Sequence, residues 1–150
     1  MDFQNTNGLP PRVQKVVSEF SAASRDEQIK LLLEYSQRMP QVPSHLAHLI
    51  NASDRVQECM TPVNVIAENN EDGMHFYFEI PPESPTVRGL ASVLSEGLSG
   101  LTAAQVLQVP SDFYFQMGLQ KALSPQRLRG FDGIIARMMR LAKAQLEATG

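Results

Sequence analysis

One stretch limits the possible folds more than any other. From Met74 to Ile80, apolar Met74, Phe76, Phe78 and Ile80 alternate with His75, Tyr77 and Glu79. That is a period of two, the mark of a strand with one face buried and one face wet. A shorter run before it, Val63 and Val65 with Asn64 and Ile66, is joined to it by the turn sequence NNEDG. The pairing predicts two or three antiparallel strands. So small a sheet cannot bury its own apolar face and needs helices over it.

The flanks supply those helices. Pro10-Pro11 opens a segment whose apolar residues Val13, Val16, Val17 and Phe20 fall at i, i+3, i+4 and i+7. SRDE at Ser24–Glu27 is a capping box, and Ile29, Leu32 and Leu33 give the following helix its expected buried stripe. Pro40 stops it, and the two helices are expected to form an antiparallel hairpin. QVPSHLAHLINASDR reads as loop with room for a helical turn. After the strands, Ser84-Pro85 reads as N-cap and N1 of a helix with Val87, Leu90, Ala91, Leu94 and Leu98 on one face. Gly97 and Gly100 are expected to end it. TAAQ at Thr102–Gln105 is a second capping box. Ser124-Pro125 opens a last helix with Leu128, Phe131, Ile135 and Met138 inward. The order of helices, strands and helices predicts an α+β fold, helices packed on one side of a small antiparallel β-sheet, as one domain over residues 1–150. Residues 1–9 read as a disordered lead.

Several function classes are excluded. The net charge of −3 gives no general basic field for nucleic acid or an anionic membrane. No apolar run reaches the length of a membrane span, and the N-terminus has no basic or apolar signal region. Neither GxxxxGK[ST] nor GxGxxG occurs, nor GxSxG. His45 and His48 lie near Cys59 in sequence, but the spacing does not suit a zinc finger and a fourth ligand is lacking; they read as surface histidines. Phe113, Tyr114 and Phe115 read as core, because no basic residue interleaves them.

Cys59 is the single cysteine of the chain. Without a partner it forms no internal disulfide, which fits a reducing, cytoplasmic setting. It admits two readings. The first is an inert, small core residue. The second is a carrier of labile sulfur, for which solitude has a chemical use: a nearby second thiol would attack a persulfide, release sulfide and leave a disulfide. One cysteine is also too few for a cysteine-ligated iron–sulfur or zinc site. Glu58 beside the thiol is expected to disfavour thiolate, and Arg55 to favour it.

RVQECMTPV at Arg55–Val63 resembles the RVPGCxSxV signature of the SufE family. YSQRMPQVP resembles the end of that family's second helix. YFEIPPESPTVRGLASVLSEGLSGLTAAQVL resembles its central segment, and LSPQRLRGFDGIIARM its LSPxRxNGxxxM close. The likeness runs in order from about Pro11 to Leu141. It implies a SufE/IscU-like fold and a sulfur acceptor that takes persulfide sulfur on Cys59 from a SufS-type, pyridoxal-phosphate-dependent cysteine desulfurase. The acceptor stimulates that enzyme and passes the sulfur to a SufBCD-type iron–sulfur scaffold. On that basis the chain is a carrier and not itself an enzyme, has no cofactor or metal of its own, and is a monomer or weak dimer. Arg127 matches the arginine of SPxR and Glu83 the acidic residue before the central helix; with Arg55 they are the expected partner-binding residues. Three positions depart from the pattern: Glu58 replaces glycine, Arg129 replaces asparagine, and Asn64 replaces an apolar aromatic, which is expected to weaken the shelter of the thiol. The rival reading is a docking module that regulates a partner, with Cys59 structural. A stand-alone thiol enzyme is a third, but no base for it is evident.

Overall fold

The computed structural model describes residues 8–149. In chain order it has α1 (Pro11–Ser21), α2 (Arg25–Ser36), β1 (Asn64–Asn70), β2 (Gly73–Glu79), α3 (Pro85–Leu98), α4 (Ala103–Gln108) and α5 (Pro125–Thr149). Short 3-10 turns lie between α2 and β1 and between α4 and α5. The two strands pair antiparallel, with Val65 opposite Phe78 and Ala67 opposite Phe76. That register puts Val65, Met74, Phe76 and Phe78 on the buried face, as the period of two requires. α3 covers β2 and α5 covers β1. This is the expected small α+β fold, with two strands.

α3 is the central helix. Ten of its residues are buried, and both α1 and α2 pack on it. α1 buries Val13, Val16, Val17 and Phe20, as its spacing predicts. The expected α1–α2 hairpin is looser than the sequence suggests. α2 packs chiefly on α3, α1 packs on both α3 and the 3-10 turn Phe113–Met117, and the two helices meet through side chains: Phe20 against the Tyr35 ring at 5.8 Å, and the Tyr35 hydroxyl donating to Glu19 at 2.6 Å. α2 is also rotated from the expected stripe. Ile29 and Leu33 are 43% and 50% exposed, while Gln28, Leu32, Tyr35 and Ser36 are buried.

Gln28 explains the rotation. Its amide donates to the carbonyls of Phe20 (2.9 Å), Met117 (3.1 Å) and Gly118 (3.2 Å), tying three segments together inside the core. The Met117 carbonyl gains its partner in this way, while the Phe20 and Gly118 carbonyls also accept from the Ala23 and Lys121 N–H groups; a buried Gln28 turns Ile29 and Leu33 outward. Both capping boxes form. Ser24 accepts from the Glu27 N–H at 3.3 Å while Glu27 accepts from the Ser24 N–H at 2.7 Å; Thr102 and Gln105 do the same at 3.1 and 2.9 Å.

Some expectations need correction. Ser84 makes no side-chain cap; Pro85 alone starts α3. Gly97 lies inside α3, facing Val13, and the positive φ that ends the segment belongs to Gly100 (90°). Phe113 and Tyr114 are core, but Phe115 is 68% exposed. Leu9 is buried, and its carbonyl accepts from Gln14 at 2.6 Å, so the expected disordered lead does not extend to it; residues 1–7 lie outside the described residues. No helix among the described residues is long and apolar enough to cross a membrane.

Candidate functional site

Cys59 sits on a loop clamped at its base. The Val56 N–H donates to the Val63 carbonyl at 3.0 Å, and both valines are buried. Inside that clamp the Cys59 N–H turns back to the Val56 carbonyl at 3.4 Å. The loop lies along the first turns of α5, and the Gln126 amide there donates to the Met60 thioether.

Beside the half-buried sulfur is a cavity of about 260 Å³. Val87 and Leu90 of α3 and Phe131 and Ile134 of α5 line its floor. Ser124, Gln126 and Arg127 stand at its rim with Met60 and Thr61. The spacing of the lining residues is helical, three or four apart on each helix, so each helix contributes one edge of its stripe.

Burial pushes the Cys59 thiol above its ordinary range, against the Thr61 backbone N–H and the Arg127 guanidinium, which both pull it down. Desolvation of the charged form is the larger effect. The resting site therefore holds a protonated thiol with a cation nearby, a poor nucleophile while seated.

Of the residues expected at the site, the fold brings Cys59 and Arg127 together. Arg55 and Glu83 are exposed and do not line the cavity. The cation that acts on the sulfur is Arg127, not Arg55, because the turn at Val56–Cys59 separates neighbours in sequence while α5 delivers a residue from far along the chain. Glu58 does not bear on the sulfur either; it extends toward Gly133 of α5. Asn64 does not weaken the shelter. It pairs on the opposite sheet face, its amide donating to Glu79 at 3.3 Å. His45 bonds Glu68 at 2.8 Å and His48 is exposed; no group of three or more metal-ligating side chains occurs among the described residues.

The sequence did not mark Gly130 as a site residue, though it faces the sulfur directly. The signal was present: Gly130 and Gly133 lie inside a long helix, where each glycine costs about 1 kcal/mol relative to alanine.

A lone thiol on a clamped loop, over a cavity with an apolar floor at the start of a long helix, defines a small α+β protein whose single thiol is half-buried rather than displayed. Comparison gives the class its family. Residues 14–142 match the family model "SufE: Fe-S metabolism associated domain", and the chain belongs to the SufE family. It is 39% identical over 133 residues to an uncharacterized SufE-like protein of Mycobacterium tuberculosis, covering 88% of this chain and 92% of that one. It is 29% identical over 150 residues to "SufE-like protein 1, chloroplastic/mitochondrial" of Arabidopsis thaliana, covering 99% of this chain and 39% of the plant protein. The solution structure of a hypothetical protein from Thermus thermophilus superposes with a TM-score of 0.81 at 32% identity, over 93% of this chain and 98% of that one. The protein is thereby associated with iron–sulfur metabolism.

Proposed function

We propose that the protein is a persulfide carrier. It accepts sulfur on Cys59 from a SufS-type cysteine desulfurase, thereby stimulates that enzyme, and delivers the sulfur to a SufBCD-type iron–sulfur scaffold in the cytoplasm. The observation that carries the reading is the Cys59 sulfur at the wall of a cavity with an apolar floor and a polar rim, with room for an added sulfur atom and no second thiol in the chain.

The step balances as a thiol exchange. The Cys59 thiolate attacks the terminal sulfur of the donor's Cys–S–SH. A new S–S bond forms at Cys59, the donor's S–S bond breaks, and the donor cysteine leaves as thiolate. The proton lost from Cys59 balances the one the donor regains, and no external oxidant or reductant enters. The pyridoxal phosphate belongs to the donor, and this chain supplies no catalytic group of its own. Its contribution is alignment: docking makes a slow bimolecular exchange effectively unimolecular. Arg127, exposed beside the thiol, steadies the thiolate as the loop leaves the cavity; Glu83 and Arg55 are outlying charges for the same docked surface.

The test is intact mass under non-reducing conditions after mixing with a SufS-type desulfurase and free cysteine. A gain of sulfur that reductant removes and that Cys59→Ser lacks is the expected result. An unchanged mass with the desulfurase active and the complex formed would sink the carrier reading in favour of a docking module. Stimulation that survives Cys59→Ser would do the same.

A further inference from the structure

α5 gives up two interior positions to glycine, and both face the thiol loop. A Cβ at Gly133 would stand 2.7 Å from the Glu58 Oε1, 2.9 Å from the Glu58 Cβ and 2.9 Å from a Val56 methyl. A Cβ at Gly130 would stand 3.3 Å from the Cys59 sulfur, 3.5 Å from its Cα and 3.6 Å from its Cβ. The two sets of contacts differ in kind. The Glu58 carboxylate can swing away, but the Glu58 Cβ and the Val56 methyl are fixed to a backbone that is itself clamped through Val56 and Val63. One methyl group at position 133 must therefore lift the loop as a unit, with Cys59 on it. A methyl at 130 asks only for a few tenths of an ångström, and the adjoining cavity gives the sulfur somewhere to go.

We propose that Gly133 is the positioning residue of the thiol loop: by clearing Val56 and Glu58 it seats Cys59 against the cavity, while Gly130 sets how deep the sulfur lies. Glu58 and Gly133 then form a coupled pair. A side chain in the loop is accommodated because none stands opposite it on the helix. The charged groups facing the seat are Arg127 and Glu58, and the polar ones Ser124 and Gln126. The consequence for sulfur, a longer-lived persulfide while seated, rests on the carrier reading above. The seat itself does not.

The experiment uses the full chain, reduced and carrying no sulfur, with no desulfurase present. Alkylation of Cys59 by iodoacetamide is timed in native buffer for the parent protein, Gly133→Ala, Gly130→Ala, Glu58→Gly and the double variant Glu58→Gly with Gly133→Ala. Thermal unfolding runs alongside. Gly133→Ala is expected to react several-fold faster, and its rate against pH to turn up at lower pH, because the burial that raises the thiol is relieved. The double variant is expected to return part of the way to the parent rate, since Glu58→Gly removes one of the two fixed obstacles, the Glu58 Cβ, and leaves the Val56 methyl. Gly130→Ala should fall between. A role confined to stability would move the melting temperature and leave the alkylation rate and its pH profile unchanged. A folded Gly133→Ala with the parent rate overturns the proposal, as does a double variant no slower than the single. Should Gly133→Ala not fold, recovery of the fold by Glu58→Gly supports the seat; without that recovery, a parent-like rate in Gly130→Ala overturns it. Because no donor is present, these results stand apart from the fate of the carrier reading, which the mass experiment decides.

Discussion

Gly89 offers a contest between two effects of opposite sign. It lies in the middle of α3, where α2 crosses, and a Cβ there would stand 2.2 Å from the Leu32 carbonyl oxygen, 2.9 Å from its carbon and 3.1 Å from its Cα. Helix propensity alone makes Gly89→Ala stabilising by about 1 kcal/mol. Sterics oppose it. A carbon and a carbonyl oxygen rest no closer than about 3.3 Å, so α2 and α3 must part by roughly 1 Å. The obstructing atoms are all backbone, so no rotamer change relieves them. A radial gap of about 1 Å forfeits up to half of each contact's dispersion energy across the interface. Overpacking of this kind costs about 1–3 kcal/mol and occasionally more, and a rigid obstacle on both sides belongs at the upper end. The net expectation is a loss of about 2 kcal/mol, or a melting temperature lower by roughly 4–8 °C for a chain of this size. Gly97 supplies the control within the same helix. A Cβ there meets only Val13, at 3.4 and 3.8 Å, so Gly97→Ala keeps the propensity gain and should stabilise by up to about 1 kcal/mol. Urea and thermal unfolding of both variants give the answer. A Gly89→Ala protein as stable as the parent, or opposite signs reversed between the two sites, would refute the reasoning.

Three further outcomes are expected. Because burial raises the folded thiol above its unfolded range, the unfolded chain loses the proton first, so stability should fall as pH rises above about 8.5; urea midpoints at pH 7 and pH 9.5 should show that slope weakened in Cys59→Ser, and an unchanged slope would count against the buried thiol. Tyr114, pushed up to about 12 by burial and by Asp132, adds its own loss only at higher pH. Arg127→Gln removes the cation that pulls the Cys59 thiol down, so alkylation near pH 8 should slow with no change in melting temperature; an equal or faster rate would contradict that electrostatic role. Gln28→Met leaves the Met117 and Gly118 carbonyls without their side-chain donor and should destabilise by about 1–3 kcal/mol, read by urea unfolding; a neutral effect would show that the buried amide, whose Oε1 has no partner, stabilises nothing.

The sequence was most informative where a pattern stood on local chemistry. The period of two in Met74–Ile80, both capping boxes and the inward faces of α1 and α5 were legible because neighbours along the chain decide them. The α2 face departs from its apolar stripe for a definite reason. Gln28 lies outside the apolar stripe, and the carbonyls it bonds come from Phe20, Met117 and Gly118, the last two about ninety positions away. The thiol stands out in the sequence, but the charges nearest to it along the chain are Arg55 and Glu58. The turn after Val56 sends both elsewhere, and α5 brings Arg127 instead. Long-range delivery of this kind leaves no local trace. Glycines inside a helix do leave one, since something must approach closely enough to offset their cost, and Gly89, Gly130 and Gly133 all mark such approaches.

The same closeness resolves a tension in the site. The carrier role proposed above needs a nucleophile, yet the fold holds its thiol where ionisation is disfavoured. Burial, the largest influence on Cys59, depends on the loop being seated. Two influences oppose it: the Thr61 backbone N–H, which belongs to the loop itself, and Arg127, on the exposed first turn of α5. Burial and Arg127 therefore respond differently to the same motion, while the Thr61 N–H moves with the loop. Lifting the loop removes the desolvation at once, while the guanidinium, on a long flexible side chain, can follow the sulfur outward. Met60, 81% exposed and next to the thiol, is an apolar side chain on that loop, held there by its contact with Gln126. Reactivity is then set by the position of the loop rather than by a resident base. This accounts for a site that has a cation, a cavity and a lone thiol, but no general base among its lining residues.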